Sequence, residues 1–105
     1  MNDVNVLDRR SVPFAMVTKA VLEDESLKAA DKSVYAVLCM YAGNTTSECF
    51  PSRDTLIKKS GVSDKTLRNS IAKLKECGYI SVEKRYNKEG RASNLYTLLE
   101  SDNAR

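Results

Sequence analysis

An α+β domain is what the sequence predicts, and three observations predict it. The middle of the chain carries two stretches in which apolar residues recur at helical spacing, with a capped short helix between them. The last third switches to the twofold alternation of strands, and the length of 105 residues suffices for one small core. With 42% hydrophobic and 30% charged residues, the composition is that of a single globular domain. A chain of this size buries little more than ~60% of its unfolded surface, so a deep substrate cavity between two lobes is excluded. The expected organisation is an arm and lead-in over 1–26, one folded domain over 27–100 and a polar tail over 101–105.

The elements follow in order. Residues 1–11 mix Asn, Asp and Arg with isolated Val and Leu, without a period, and are expected to take no fixed structure of their own. Residues 12–17 alternate weakly around Pro13, which suits an edge strand or an extended lead-in. Residues 19–22 suit one helical turn. The run Glu23, Asp24, Glu25 after it reads as a solvated loop, because no histidine or further carboxylate converges there to make a metal or acid-base site. Over 28–42, Ala30, Val34, Val37, Leu38 and Tyr41 predict a long helix with one buried face.

A polar break over 43–47 leads through Phe50 and Pro51 to Ser52. The Ser52 hydroxyl can accept from an orphan N–H one turn on, and Asp54 complements the positive helix end, so a short helix is expected over 53–60. Gly61 suits its left-handed end, and Ser63 with Asp64 repeats the start signal for a helix over 64–77. In that helix Leu67, Ile71 and Leu74 make one narrow apolar stripe. Lys65, Thr66, Arg68, Asn69, Lys73 and Lys75 give the rest of it a polar, mostly basic character, and Gly78 supplies the stop. Ile80 and Val82 then alternate with Ser81 and Glu83. After Asn87, Lys88, Glu89 and Gly90 a second apolar run begins at Leu95, which predicts a hairpin with a long basic tip.

Charge separates the two halves. Residues 1–50 hold 5 Lys/Arg against 7 Asp/Glu and residues 51–105 hold 12 against 7, so the net charge of +3 is the sum of −2 and +5. Concentrated positive charge points to a polyanionic partner, nucleic acid or an anionic membrane surface. The apolar runs are only a few residues long, far below the ~20 that span a bilayer, which favours nucleic acid. Histidine is absent, and Cys39, Cys49 and Cys77 are 10 and 28 residues apart, a spacing that fits no zinc or redox motif. The odd cysteine number without a secretory segment suggests reduced thiols in a cytoplasmic protein, with Cys39 and Cys77 acting as small core hydrophobes. No cofactor, metal or small-molecule substrate is expected. An enzyme is not expected either, since no nucleophile-base pair or Gly-rich phosphate loop is present.

Helix, short helix, glycine turn, longer basic helix and hairpin is the order of a winged helix-turn-helix, in which the longer helix stands out as a ridge that fits the major groove. The residues carry the same likeness. Phe50-Pro51-Ser52-Arg53-Asp54-Thr55-Leu56, Ser60-Gly61-Val62-Ser63, Thr66-Leu67-Arg68, Ile71, Leu74, Gly78-Tyr79-Ile80 and Ser93-Asn94-Leu95-Tyr96 together resemble the winged helix-turn-helix family of plasmid and phage replication proteins and prophage regulators. The likeness spans about 27–98. Ile57 stands where that family often has a smaller residue, and Ser60 where it is often apolar.

The resemblance implies double-stranded DNA binding, with the 64–77 helix as reader and the hairpin as wing. Arg68 and Asn69, opposite the apolar stripe, have side chains for bidentate contact with guanine and adenine edges. Lys65 and Thr66 stand nearer the end that enters the groove, and Lys73 nearer the exit, where phosphate lies. Ser52, Arg53 and Ser63 begin helices whose free N–H groups suit phosphate, although both serines also read simply as caps. Arg85, Lys88 and Arg91 are expected at the hairpin tip, in reach of a minor groove or its phosphates. Tyr79, Tyr86 and Tyr96 are expected to pack in the core and at its rim.

The expected role is a transcriptional regulator or a replication-initiation domain of a mobile element. The alternative is a module that docks a replication or transcription partner. Val4, Val6, Leu7, Val12 and Phe14 are candidates for a homodimer surface. The chain is expected to be either a compact regulator or the N-terminal domain of something longer.

Overall fold

The computed structural model describes residues 14–42 and 47–99. Expectations for 1–13, most of the 43–47 break and the 101–105 tail lie outside the described residues. In chain order the elements are α1 (Lys19–Glu23), α2 (Ala29–Ala42), β1 (Glu48–Cys49), α3 (Arg53–Ser60), α4 (Asp64–Glu76), β2 (Ile80–Asn87) and β3 (Gly90–Leu98). The strands form an antiparallel sheet in the order β1-β3-β2. This is the α+β, winged helix-turn-helix arrangement the sequence predicts.

The core joins α2 to α4 and seals both with the sheet. Tyr35, Leu38, Leu56, Leu67, Leu74 and Ile80 are fully buried, and each contributes ~1.5–3 kcal/mol by leaving water. Val21 of α1 is also fully buried, and the partly buried Val17 packs against the same core. No strand forms over 14–18, so of the two expectations for this segment the lead-in holds. Cys39 and Cys49 are core residues whose thiols burial pushes up to about 11, and Cys49 donates to the Leu38 carbonyl at 3.5 Å.

Four points correct or add to what the sequence predicts. Tyr41 is 40% exposed: it shares the direction of the buried Val34 and Val37 but stands in the last turn of α2, one turn beyond them. The strand β1, with Glu48 opposite Thr97 and Cys49 opposite Tyr96, has no signature in the sequence, since two residues carry no period. Asp24 stands in a loop as expected, but both of its carboxylate oxygens are bonded. Ser26 donates to its Oδ1 through both Oγ (2.6 Å) and N–H (2.9 Å), and the Tyr79 hydroxyl donates to Oδ2 at 2.7 Å. These bonds hold Asp24 down at about 2 and push Tyr79 up to about 12, and they fasten the acidic loop to the base of the wing.

The fourth point concerns the hairpin. Its strands run on to Asn87 and restart at Gly90, so the tip is only Lys88 and Glu89. The Asn87 side chain accepts from the Glu89 N–H at 2.9 Å, and Gly90 turns at φ 118°, a conformation that side chains disfavour. Glu83 faces Leu95 while Arg85 faces Ala92, so Ser93 and Asn94 together oppose Lys84 in a bulge.

Candidate nucleic-acid interface

The helix-turn-helix unit is set by two repeats of one local device. Ser52 Oγ accepts from Thr55 N–H at 3.1 Å, and Ser63 Oγ accepts from Thr66 N–H at 3.2 Å. Each serine also donates to the threonine hydroxyl three residues on, at 2.9 and 3.1 Å. Between them Gly61 takes φ 79°, and its N–H donates to the Ile57 carbonyl at 2.9 Å. Ser60 helps seat α3, since its carbonyl accepts from Ser33 Oγ of α2 at 3.2 Å. Ile57 is half-buried against the core.

α4 is two-sided. Leu67, Ser70 and Leu74 are buried, Ile71 is half-buried, and Lys65, Arg68, Asn69, Ala72, Lys75 and Glu76 are exposed. Arg68 and Asn69 therefore both stand outward as expected. Successive residues turn by about 100°, so the two occupy opposite flanks of the outer arc with Lys65, Ala72 and, at its C-terminal end, Glu76 between them. Ala72 is the central residue the sequence reading passed over. Its methyl suits contact with a thymine methyl, and its step of four from Arg68 and seven from Lys65 is the signal that identifies it. Lys75 lies on the same arc, on Arg68's side.

One carboxylate organises the start of this surface. Arg53 Nε donates to Asp64 Oδ1, and Arg68 Nε lies 3.6 Å from Asp64 Oδ2. The Arg53 hydrogen bond holds Asp64 below the usual carboxylate range and raises Arg53. All three side chains are about half exposed, so the pairing contributes little to stability. Its effect is placement, because it ties the first residue of α3 to the first turn of α4.

The opposite flank of α4 carries Thr66, Asn69 and Lys73 and faces the start of α2 across a groove of about 480 Å³. Thr66 and Lys73 are half-buried there.

The wing gives a mixed result. Lys88 is exposed at the tip as expected. Arg85 is not at the tip: it lies within β2, half-buried, donating to the Ser93 carbonyl at 3.1 Å with its guanidinium 4.6 Å from the Phe50 ring centre. Arg91 lies on β3, bonded to Asn94 and 5.9 Å from the ring of its cross-strand partner Tyr86. Tyr79 and Tyr96 are buried as expected. Tyr86 is 69% exposed, because the long strands carry it beyond the core. Arg53 and Arg91, far apart in sequence, line one cleft of about 310 Å³ with Pro51, Ser93, Asn94 and Tyr96.

Among the described residues no cluster of His, Cys, Asp and Glu is placed to hold a metal ion, and no helix is long and apolar enough to cross a membrane. A family model described as a helix-turn-helix domain matches residues 25–80. No curated protein matches the sequence. Among solved structures, a possible transcriptional regulator from Methanosarcina mazei Go1 superposes with a TM-score of 0.58 at 19% identity, over 82% of this chain. The match covers 64% of that archaeal chain and is a likeness of fold. BpsR of Bordetella bronchiseptica, whose DNA binding is regulated by 6-hydroxynicotinic acid, superposes with a TM-score of 0.50 at 25% identity, over 98% of this chain and 72% of that one.

Proposed function

This chain belongs to the helix-turn-helix domain family, and from that premise we propose that it binds double-stranded DNA with sequence preference. The observation that carries the reading is the outer arc of α4, where Lys65, Arg68, Asn69, Ala72 and Lys75 stand exposed on a helix whose other side is locked into the core. Arg68, Asn69 and Ala72 read base edges, while Lys65, Lys73, Arg53, Arg91 and Lys88 meet phosphate. Thr66 supports the turn through its bond to Ser63, and the N–H groups that follow Ser52 and Ser63 lie toward the backbone. Arg85 holds the wing's shape.

The DNA-binding unit in this reading is 27–100, with residues 14–26 packed on it through Val17 and Val21. The output is transcription control or replication initiation of a plasmid, phage or other mobile element, inside the cytoplasm. The likeness to BpsR supports the regulatory form, and the Pro-Ser, Gly-Val-Ser and Ser-Asn-Leu-Tyr motifs support the mobile-element origin.

A second face favours a protein partner as well. Phe14, Met16, Met40 and Tyr41 are 40–61% exposed, and Phe14 and Met40 line an open apolar cleft to which α4 contributes nothing. A second copy of the chain is the occupant this reading favours, with docking of a replication or transcription protein as the alternative.

Selection of bound duplexes from a random pool at fixed salt tests the function. Enrichment of a defined motif is expected, and a symmetric motif with half-sites about one helical turn apart supports the homodimer. A pool that stays random after several rounds removes sequence-specific reading.

A further inference from the structure

The groove between the start of α2 and the flank of α4 is lined by Ser26, Lys28, Asp31, Asn69, Ser70 and Lys73, with Ala30 and Thr66 at its edges. Two independent features meet in it. Ser70 is 1% exposed, and its hydroxyl has no hydrogen-bond partner. A buried hydroxyl left in this state is costly, so its retention calls for an explanation. The second feature is the end of α2, a helix of 14 residues. Its first carbonyl acceptor belongs to Lys28, a residue whose side chain offers no acceptor for the amides that follow. Asp31 accepts from Lys28 N–H at 2.9 Å, and no acceptor among the described residues takes the N–H groups of Ala29, Ala30 or Asp31.

We propose that this groove is a phosphate site, filled by a backbone phosphodiester of the bound duplex. Unpaired first-turn amides, the Ser70 hydroxyl and the side chains of Lys28 and Lys73 are the donors that line it. The one carboxylate lining the groove, Asp31, is turned onto the Lys28 N–H, which lowers its repulsion of an anion. The neighbouring Asp24 is occupied by Ser26 and Tyr79. The DNA backbone is the favoured source because Asn69 and Lys73 belong both to this groove and to α4. A helix seated in the major groove has a sugar-phosphate wall along its flank. The inference rests on the DNA-binding reading and adds a contact to it from an element outside the helix-turn-helix unit.

The test uses the full chain and a 20-base-pair duplex carrying the selected motif, titrated across a range of salt. Ser70→Ala removes a hydroxyl that bonds nothing in the free protein, so the melting temperature holds or rises while duplex affinity falls about tenfold on matched and unmatched sequences alike. Lys28→Ala lowers the magnitude of the slope of log affinity against log salt by about one. If both variants bind with wild-type affinity and slope while Arg68→Ala still loses the motif, the groove is not a contact and the DNA reading stands. A wild-type chain that binds no duplex removes the DNA reading itself and this inference with it. Inorganic phosphate titrated into the free chain separates the sources. Amide shifts at 29–31 that fail to saturate at tens of millimolar support the backbone assignment. Saturation below a millimolar that Ser70→Ala abolishes reassigns the groove to a free phosphorylated ligand and overturns it.

Discussion

The cations of α4 stand on a helix whose inner side is locked into the core, whereas the arginines of the wing are held by their own strand neighbours. Lys65 and Lys75 form no ion pair among the described residues, and Arg68 has one loose pairing at 3.6 Å. Their positions come from the backbone, fixed beneath them by Leu67 and Leu74. In the wing, Arg85 bonds a carbonyl and stacks on Phe50, and Arg91 bonds Asn94 and stacks on Tyr86. A helix presents a charged side chain by burying the residue on its opposite side. A two-stranded ribbon beyond the core lacks that support, so it spends part of its positive charge on its own shape.

That difference is broken most forcefully from below. Leu67→Ala removes a fully buried side chain under the outer arc and is expected to cost ~2–5 kcal/mol of stability. Chemical denaturation measures it. A loss under ~1 kcal/mol would mean that the inner side of α4 is not what fixes the arc. Duplex binding by the remaining folded fraction should be unaltered, because Leu67 reaches no DNA.

Arg68→Ala is the converse experiment, from above. Arg68 is exposed, so stability should shift by no more than ~0.5 kcal/mol, while affinity for the selected motif falls by ~1–3 kcal/mol and discrimination at one base pair is relaxed. Competition between matched and random duplexes reads this directly. Equal losses on both would make Arg68 a phosphate contact and leave Asn69 and Ala72 as the readers.

The contrast also accounts for what was legible in the sequence. The helix-turn-helix unit is local: caps at Ser52 and Ser63, the turn at Gly61 and the stripe of Leu67 and Leu74 each depend on residues within a turn or two. The structure returns 53–60 as expected and ends α4 at Glu76, with Cys77 as its cap. Partners far apart in the chain carry no such signal. Asp24 bonding Tyr79, Arg53 meeting Arg91 across a cleft, and β1 pairing with β3 are decided by tertiary contact alone. The exposure of Arg68 and Asn69 followed from periodicity. Their divergence across the arc followed from it too, since adjacent residues on a helix never share a direction. Arg85 was misplaced because the number of residues in the wing strands is set by pairing, which alternation over Ile80–Glu83 does not extend to.

Between the two regions in expected effect lies the cap of α4. Ser63→Ala removes the acceptor for Thr66 N–H and is expected to cost ~1 kcal/mol of stability, measured by denaturation. Ser63→Gly should cost only a few tenths of a kcal/mol, since glycine is itself a tolerated cap residue. If the hydroxyl serves DNA as well as the cap, Ser63→Ala lowers affinity by more than its effect on folding explains. Equal affinity in the folded protein confines Ser63 to the cap.

The smallest expected effect gives the finest test, because it compares two cations of the same ribbon. Lys88 has no partner among the described residues and sits at the tip, so Lys88→Ala should lower the magnitude of the salt slope by about one while leaving stability unchanged. Arg85 is spent on Ser93 and Phe50, and Arg85→Ala should lower stability with little change in slope. Arg85→Lys keeps the charge but loses the planar stacking group, so it should resemble Arg85→Ala in stability. If instead Arg85→Ala lowers the slope as Lys88→Ala does, the guanidinium leaves Phe50 on binding, and the wing rearranges around the duplex. An unchanged slope for both variants would confine the footprint to the helices.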